Sequence, residues 1–233
     1  MTNTSHSTAG LLASGGLDSS ILLAHLLGGR DRVQPFYIRF GLAWQDAELS
    51  ALGRFMAALD CSRLEPLVVL DMPVADLYGD HWSVTGHDAP GADTPDEAVY
   101  LPGRNLLLAL KAAIWCQLHG VESLALAPLR SNPFPDVSAD FFAHFEALLN
   151  RGPIGRVRIV RPFADLSKRQ VMELGREYPL EHTFSCISPR GKMHCGACNK
   201  CAERQDAFRL IGRSDPTHYA NGAVAVPGRR SQS

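Results

Sequence analysis

The stretch GLLASGGLDSSILLAHLL, residues 10–27, constrains the fold more than any other part of this chain. An apolar run stops at Ser14-Gly15-Gly16, and a leucine-rich run opens straight afterwards. Paired glycines allow a tight turn, and a Ser or Asp caps the helix that follows. The same arrangement leaves backbone amides bare at a helix N-terminus, where they bind phosphate. The first reading is purely structural and the second is chemical.

The remaining chain repeats this strand-to-helix step. Residues 8–13 read as a short buried strand, 17–28 as a helix, and the β-branched and aromatic VQPFYIRF at 33–40 as a second strand. Over 43–60, Ala47, Leu49, Leu52, Phe55, Met56 and Leu59 fall close to helical spacing, and PLVVLDM at 66–72 is a third strand. Further strands are expected at 123–129 and 157–163, with helices at about 106–120, 137–150, 167–177 and 199–212. Strands alternating with helices indicate an α/β fold with a parallel sheet and right-handed crossovers. Residues 79–98 lose all periodicity and are expected to form a long loop of functional or mobile character. There is no internal repeat or low-complexity block.

Composition narrows the function classes. A formal net charge of −1 offers no positive field to a nucleic acid. No apolar run approaches the roughly 20 residues of a membrane span. The segment MTNTSHSTAG lacks the basic start of a secretion signal, so the expected location is the cytoplasm.

Ser14-Gly15-Gly16-Leu17-Asp18-Ser19 falls at the carboxyl end of the first strand, the edge where open α/β sheets bind ligands. Gly15 and Gly16 let backbone amides approach an anion, Ser14, Ser19 and Ser20 add hydroxyls, and the helix adds its dipole. The run is not a Walker A loop, since no Gly-Lys-Ser/Thr follows. It resembles the pyrophosphate loop of the N-type ATP pyrophosphatases, Ser-Gly-Gly-x-Asp-Ser, residue for residue. That likeness implies ATP as cosubstrate, bound through Ala13, Ser14, Gly15, Gly16, Leu17, Asp18, Ser19 and Ser20.

Cysteine usage is uneven. Cys61 and Cys116 stand alone and read as small buried apolar residues. The other four spell Cys186-x8-Cys195-x2-Cys198-x2-Cys201, and four thiolates close a tetrahedron around Zn²⁺ with no open position. Gly196 suits a tight turn between ligands, and His194 is a rival ligand that a four-sulfur site does not need. A redox Cys-x-x-Cys is the alternative, but it leaves two of these cysteines without a purpose.

A phosphate loop near one end and four clustered cysteines near the other, together in one chain, resemble the 7-cyano-7-deazaguanine synthase family. The likeness extends to Tyr100-Leu101-Pro102-Gly103-Arg104-Asn105, Phe134-Pro135-Asp136, Ser167-Lys168, Thr183-Phe184-Ser185-Cys186, Arg204, Ala207-Phe208 and Asp215-Pro216-Thr217 with Tyr219. It implies a Rossmann-like parallel sheet with helices on both faces, of the adenine nucleotide alpha hydrolase-like kind, plus a small C-terminal zinc element. The expected division is a nucleotide-binding domain over 1–180, a zinc-binding helical element over 181–220 and a frayed tail over 221–233. The implied reaction activates the carboxylate of 7-carboxy-7-deazaguanine with ATP, aminates it with ammonia and dehydrates the amide to a nitrile. Mg²⁺ offsets phosphate charge, and the partners are that small molecule and ammonia, with no membrane or nucleic acid and a homodimer left open.

Catalytic roles fall to Asp18, Arg104 and Lys168, and substrate contacts to Asn105 and Asp136. Arg104 follows a Pro-Gly turn and is suited to grip a phosphate or carboxylate through two parallel bonds. Lys168 opens a helix at the ligand-binding edge, where a positive charge opposes the dipole unless an anion is near. His81 and His87 have no partners at metal spacing and read as loop residues.

Two segments depart from the family pattern. After the second strand the family has Tyr-Gly-Gln-x-His-x-x-Glu-Leu. Here the run Phe40-Gly41-Leu42-Ala43-Trp44-Gln45-Asp46-Ala47-Glu48-Leu49 lacks the Gln and His and carries the Glu one residue later. The second is APLRSNPFPDVS, where Val137 stands in place of the family's common Cys. These segments flank the expected position of the deazapurine. Adenylation of another acceptor, such as a related deazapurine, a protein or a tRNA base, therefore stays open, as does a nucleotide-binding zinc protein without catalysis.

Overall fold

A computed structural model of the chain describes residues 8–29 and 32–221. Almost all of the tail expected to fray thus lies outside the described residues. The strands β1 (Thr8–Leu12), β2 (Arg32–Arg39), β3 (Val68–Asp71), β4 (Ser123–Ala125) and β5 (Arg158–Val160) form one sheet in the order β3-β2-β1-β4-β5. Every neighbouring pair is parallel, as the alternation of elements requires. The helices are α1 (Leu17–Gly28), α2 (Gln45–Leu59), the single turns α3 (Ala75–Tyr78) and α4 (Trp82–Thr85), α5 (Arg104–His119), α6 (Ala139–Leu149), α7 (Lys168–Leu174) and α8 (Asn199–Leu210).

Alternate strand residues feed two cores. Leu11, Val33 and Ala125 face Leu17, Ile21 and Leu22 of α1, Val171 and Met172 of α7, and Phe208 of α8. Phe36 and Leu124 face Ala109, Ala112 and Ala113 of α5, with Phe142 and Phe145 of α6 beyond. Helices therefore cover both faces, and the strands carry near-continuous apolar runs. Gly10 is required on the α5 side: a Cβ there would stand 3.0 Å from Cys116 Sγ and from the Phe36 ring. Cys116 is buried as expected, whereas Cys61 is only partly buried.

The fourth strand is shorter than the expected 123–129. Leu126 still donates its N–H to the Val160 carbonyl at 3.0 Å, but the ladder stops before Pro128, which has no N–H to give. Helix α7 starts at the expected Ser167, whose hydroxyl accepts the Gln170 N–H at 3.4 Å while Gln170 Oε1 accepts the Ser167 N–H at 2.9 Å.

Residues 79–98 differ from their expected state. They contain α4 and part of a 3₁₀ turn at Asp96–Val99, and the segment is tied to the cysteine-rich region. The Asn199 N–H donates to the Pro90 carbonyl at 2.9 Å, the Ala92 N–H to the Ala197 carbonyl at 3.0 Å, and Asn199 Nδ2 to the Thr94 carbonyl at 2.9 Å. Local sequence carries no period here because long-range contacts hold the segment.

Strand order reverses between β1 and β4. The crevice beyond their carboxyl ends is where doubly wound sheets place ligands, and the Ser14–Ser19 loop opens into it.

Candidate active site

The loop is shaped by its own side chains. Ser14 donates its N–H to Ser19 Oγ at 3.2 Å, the two serine hydroxyls lie 3.0 Å apart, and the Gly16 N–H donates to Ser14 Oγ at 3.3 Å. Gly16 caps α1 without a side-chain bond, and among the described residues the N–H groups of Leu17, Asp18 and Ser19 have no acceptor. Gly15 holds φ at +78°, and a Cβ there would come within 2.9 Å of the Glu48 carbonyl. Glycine alone fits that close approach without strain. The Gly15 carbonyl accepts the Phe184 N–H at 2.7 Å, so the segment before the cysteines braces the loop.

Asp18 and Lys168, both expected at the site, meet there. Lys168 Nζ donates to both Asp18 oxygens at 2.8 Å and lies 3.0 Å from Glu203 Oε1, while Lys200 stands 2.6 Å from Glu203 Oε2. Burial works against the Lys168 charge, but the Asp18 and Glu203 carboxylates outweigh it and hold its pKa above the ordinary lysine range. Burial likewise pushes Glu203 up, and Lys200 with Lys168 overcomes that and holds it well below the usual carboxylate range. The two carboxylates answer the dipole problem at the start of α7. Glu203 and Lys200 were not singled out for the site from sequence. Their only local signal is an acid three residues after a lysine on a helix.

A cavity of about 330 Å³ opens in front of the loop and is lined by Ala13, Ser14, Gly16, Leu17, Asp18, Ser19, Arg104, Asn105 and Lys168 among others. That volume is within the range of small-ligand sites. Gly15 lies behind this wall, and Ser20 is fully buried in α1, so neither lines the cavity. Asn105 Nδ2 donates to Asp136 Oδ1 at 3.0 Å, and Asp136 itself is buried beneath the lining. Among the described residues, neither Asp136 Oδ2 nor the buried Arg104 Nε has a hydrogen-bond partner.

Aromatic rings form the opposite side, a feature that sequence reading missed. Trp44 and Trp82 stack with centroids 5.7 Å apart and planes 22° from parallel, and Tyr100 meets Phe134 at 5.1 Å. All four line the cavity and offer flat apolar surface to a planar ligand. Tyr37 and Glu48 also line it. The Tyr37 hydroxyl donates to Glu48 Oε2 at 2.7 Å, and burial pushes the Glu48 carboxyl up to about 7 against the pull of Arg104 and that bond.

Cys186, Cys195, Cys198 and Cys201 are all buried, with their sulfurs within 4.8 Å of one another. Two of these separations are 3.9 Å (Cys195–Cys201) and 3.8 Å (Cys186–Cys198). Four sulfurs at the usual zinc–sulfur bond length form a tetrahedron with edges of roughly 3.8 Å, so the cluster fits a tetrahedral metal ion. The Cys195 N–H donates to Cys186 Sγ at 3.3 Å and the Ala197 N–H to Cys195 Sγ at 3.3 Å, with Gly196 at φ +83° making the turn between. His194 is occupied elsewhere: its Nε2 accepts the Ser185 N–H at 3.1 Å. Arg204, fully buried, binds Thr183 Oγ1 at 2.7 Å, the Leu180 carbonyl at 3.0 Å and Thr217 Oγ1 at 2.6 Å. It thereby fastens α8 to the segment that braces the loop.

Residues 8–212 match the family described as queuosine biosynthesis protein QueC. The chain is 29% identical to the 7-cyano-7-deazaguanine synthase of Methanothermobacter thermautotrophicus, over 89% of this chain and 97% of that one. It is 29% identical to the enzyme of the same name from Chlorobium phaeobacteroides, over 90% and 95%. A third, from Methanocaldococcus jannaschii, is 25% identical over 88% and 96%. With its phosphate loop, bracing segment and cysteine cluster inside the matched span, the chain belongs to the QueC family of queuosine biosynthesis proteins.

Proposed function

We propose that this protein is an ATP-dependent ligase that converts 7-carboxy-7-deazaguanine to 7-cyano-7-deazaguanine. The observation that carries the reading is the set of free amides at Leu17, Asp18 and Ser19, opening at the sheet's switch point into a cavity shared with Arg104 and Lys168. The family match over residues 8–212 supports the same substrate.

In this reading the amides and the α1 dipole bind the pyrophosphate portion of ATP. Arg104 draws the substrate carboxylate towards the α-phosphate, and the Asp18–Lys168 pair keeps the first turn of α1 in place while charge shifts. The deazapurine rests against the Trp44 and Tyr100 side, with Asn105 and the Asp136 behind it setting its orientation. Mg²⁺ would offset phosphate charge, and Asp18 is the loop carboxylate that would help to hold it. Zn²⁺ in the four-cysteine site is structural, since four thiolates leave no position for substrate. Residues 1–180 act as the nucleotide-binding domain and 181–220 as the zinc element.

The cytoplasm is the compartment in which four reduced cysteines hold a metal. Among the described residues, no helix is long and apolar enough to cross a membrane. Incubation with ATP, Mg²⁺, ammonium and 7-carboxy-7-deazaguanine, followed by mass spectrometry, tests the reading. Conversion of acid to nitrile is the expected result. Absence of any amide or nitrile removes this substrate.

A further inference from the structure

Glu48 has no role in the reaction described so far, yet it lines the same cavity as the phosphate loop. Helix α2 packs its backbone against the phosphate loop, so that the Glu48 carbonyl lies 2.9 Å from a Cβ built on Gly15. Glu48 lines the cavity together with Ser14 and Arg104. One oxygen, Oε2, is fixed by the Tyr37 hydroxyl at 2.7 Å, and that hydroxyl also reaches the Gln45 carbonyl at 3.3 Å. Among the described residues, no hydrogen bond reaches the other oxygen, Oε1. Arg104 is near enough for its charge to act on Glu48. A carboxyl held at one oxygen and free at the other, opposite an arginine and beside a phosphate loop, has the form of a positioned proton acceptor.

We propose that Glu48 Oε1 takes the proton shed by ammonia as it attacks the activated acyl carbon, an inference that rests on the adenylation reading above. The nitrogen lone pair forms the C–N bond, and the C–O bond to AMP breaks with its electron pair going to the phosphate oxygen. One N–H proton then passes to Glu48, leaving a neutral amide and AMP. The other acids near the cavity are unsuited to this step. Asp18 is bound on both oxygens by Lys168, and Glu203 is held by Lys168 and Lys200. Asp136 is buried beneath the lining. The charged and titratable groups acting on Glu48 are Arg104 of α5 and Tyr37 of β2, and Asp46 on its own helix acts on that tyrosine. Burial outweighs their influence and places Glu48 at about 7, which suits a group that must be charged before the step and protonated after it.

The test compares Glu48→Gln with the wild-type chain in three assays, all using 7-carboxy-7-deazaguanine. The assays are exchange of radiolabelled pyrophosphate into ATP, product formation from ammonium, and hydroxamate formation from hydroxylamine. Hydroxylamine gives a more acidic adduct that loses its proton to water. Ammonium-dependent product is expected to fall by roughly a hundredfold or more, with exchange and hydroxamate formation persisting. The acid limb of the ammonia-dependent rate, corrected for free ammonia, is expected to disappear. An ammonium-dependent rate that stays close to wild type, or a parallel fall in all three assays, overturns the proposal. Absence of exchange in the wild-type chain overturns the adenylation reading, and the proposal falls with it.

Discussion

Lys168 holds both carboxylate oxygens of Asp18 at 2.8 Å across 150 positions of sequence. This bidentate contact joins the first turn of α7 to the first turn of α1, and Glu203 of α8 completes it at 3.0 Å. Three helices thus meet on one ammonium group beside the phosphate loop, at the wall of the cavity. Such a partly buried pair adds little net stability, but it is expensive to break from one side.

Removing the lysine leaves Asp18 without its partner and Glu203 with Lys200 alone. Lys168→Ala is expected to lower the unfolding free energy at neutral pH by about 3 kcal/mol or more and to abolish ATP turnover. Urea unfolding measures the first effect. A loss below about 1 kcal/mol shows that solvent already compensates the pair.

Removing the aspartate has a different result. In Asp18→Ala, Lys168 keeps Glu203, so the chain stays folded while the loop loses its carboxylate. Circular dichroism is expected to match wild type, and pyrophosphate exchange to vanish. Normal exchange in that variant refutes nucleotide binding by this loop.

Glu48 gives stability a pH dependence of predictable sign. Its carboxyl titrates near 4.5 ordinarily and at about 7 in the fold. Between those values the folded chain binds more protons than the unfolded one, so stability falls as pH rises through that window. Glu48→Gln removes this slope, and above it the variant is expected to be more stable than wild type by about 1–3 kcal/mol. Unfolding curves at about pH 5 and about pH 8 check it, and a difference that does not change with pH disproves it.

The cysteine cluster yields a compositional prediction. Metal analysis is expected to find one zinc per chain, and Cys198→Ala to give a destabilised or insoluble protein. The metal touches no nucleotide in this reading, so activity is expected to fail only as the fold fails. A soluble, fully folded Cys198→Ala chain without zinc and without activity places the metal in the chemistry instead.

Contiguous features were legible in the sequence, and features assembled at a distance were not. The Ser14–Ser19 run and the four cysteines could be read because their chemistry depends on spacing within a few residues. The parallel sheet followed from alternation, and the start of α7 at Ser167-Lys168 from its likeness to the family's Ser-Lys pair. The charge of Lys168 suggested an anion nearby, but not that Asp18 and Glu203 would supply it. The Tyr37–Glu48 bond depends on β2 lying beside α2, and the Trp44–Trp82 stack on where α4 folds back. The segment 79–98 lacked period because Asn199 and Ala197, a hundred residues later, provide its hydrogen-bond partners.

The bond from Phe184 to the Gly15 carbonyl has a consequence for synthesis. A ribosome releases the phosphate loop about 170 residues before the Phe184 segment that braces it. Until residues 184–203 leave the exit tunnel, Gly15 has no Phe184, Asp18 has no complete counter-charge, and Thr183 has no Arg204 to fasten it. A nascent chain therefore carries the loop long before the loop is braced, and the contacts that hold it form only once that later segment has emerged.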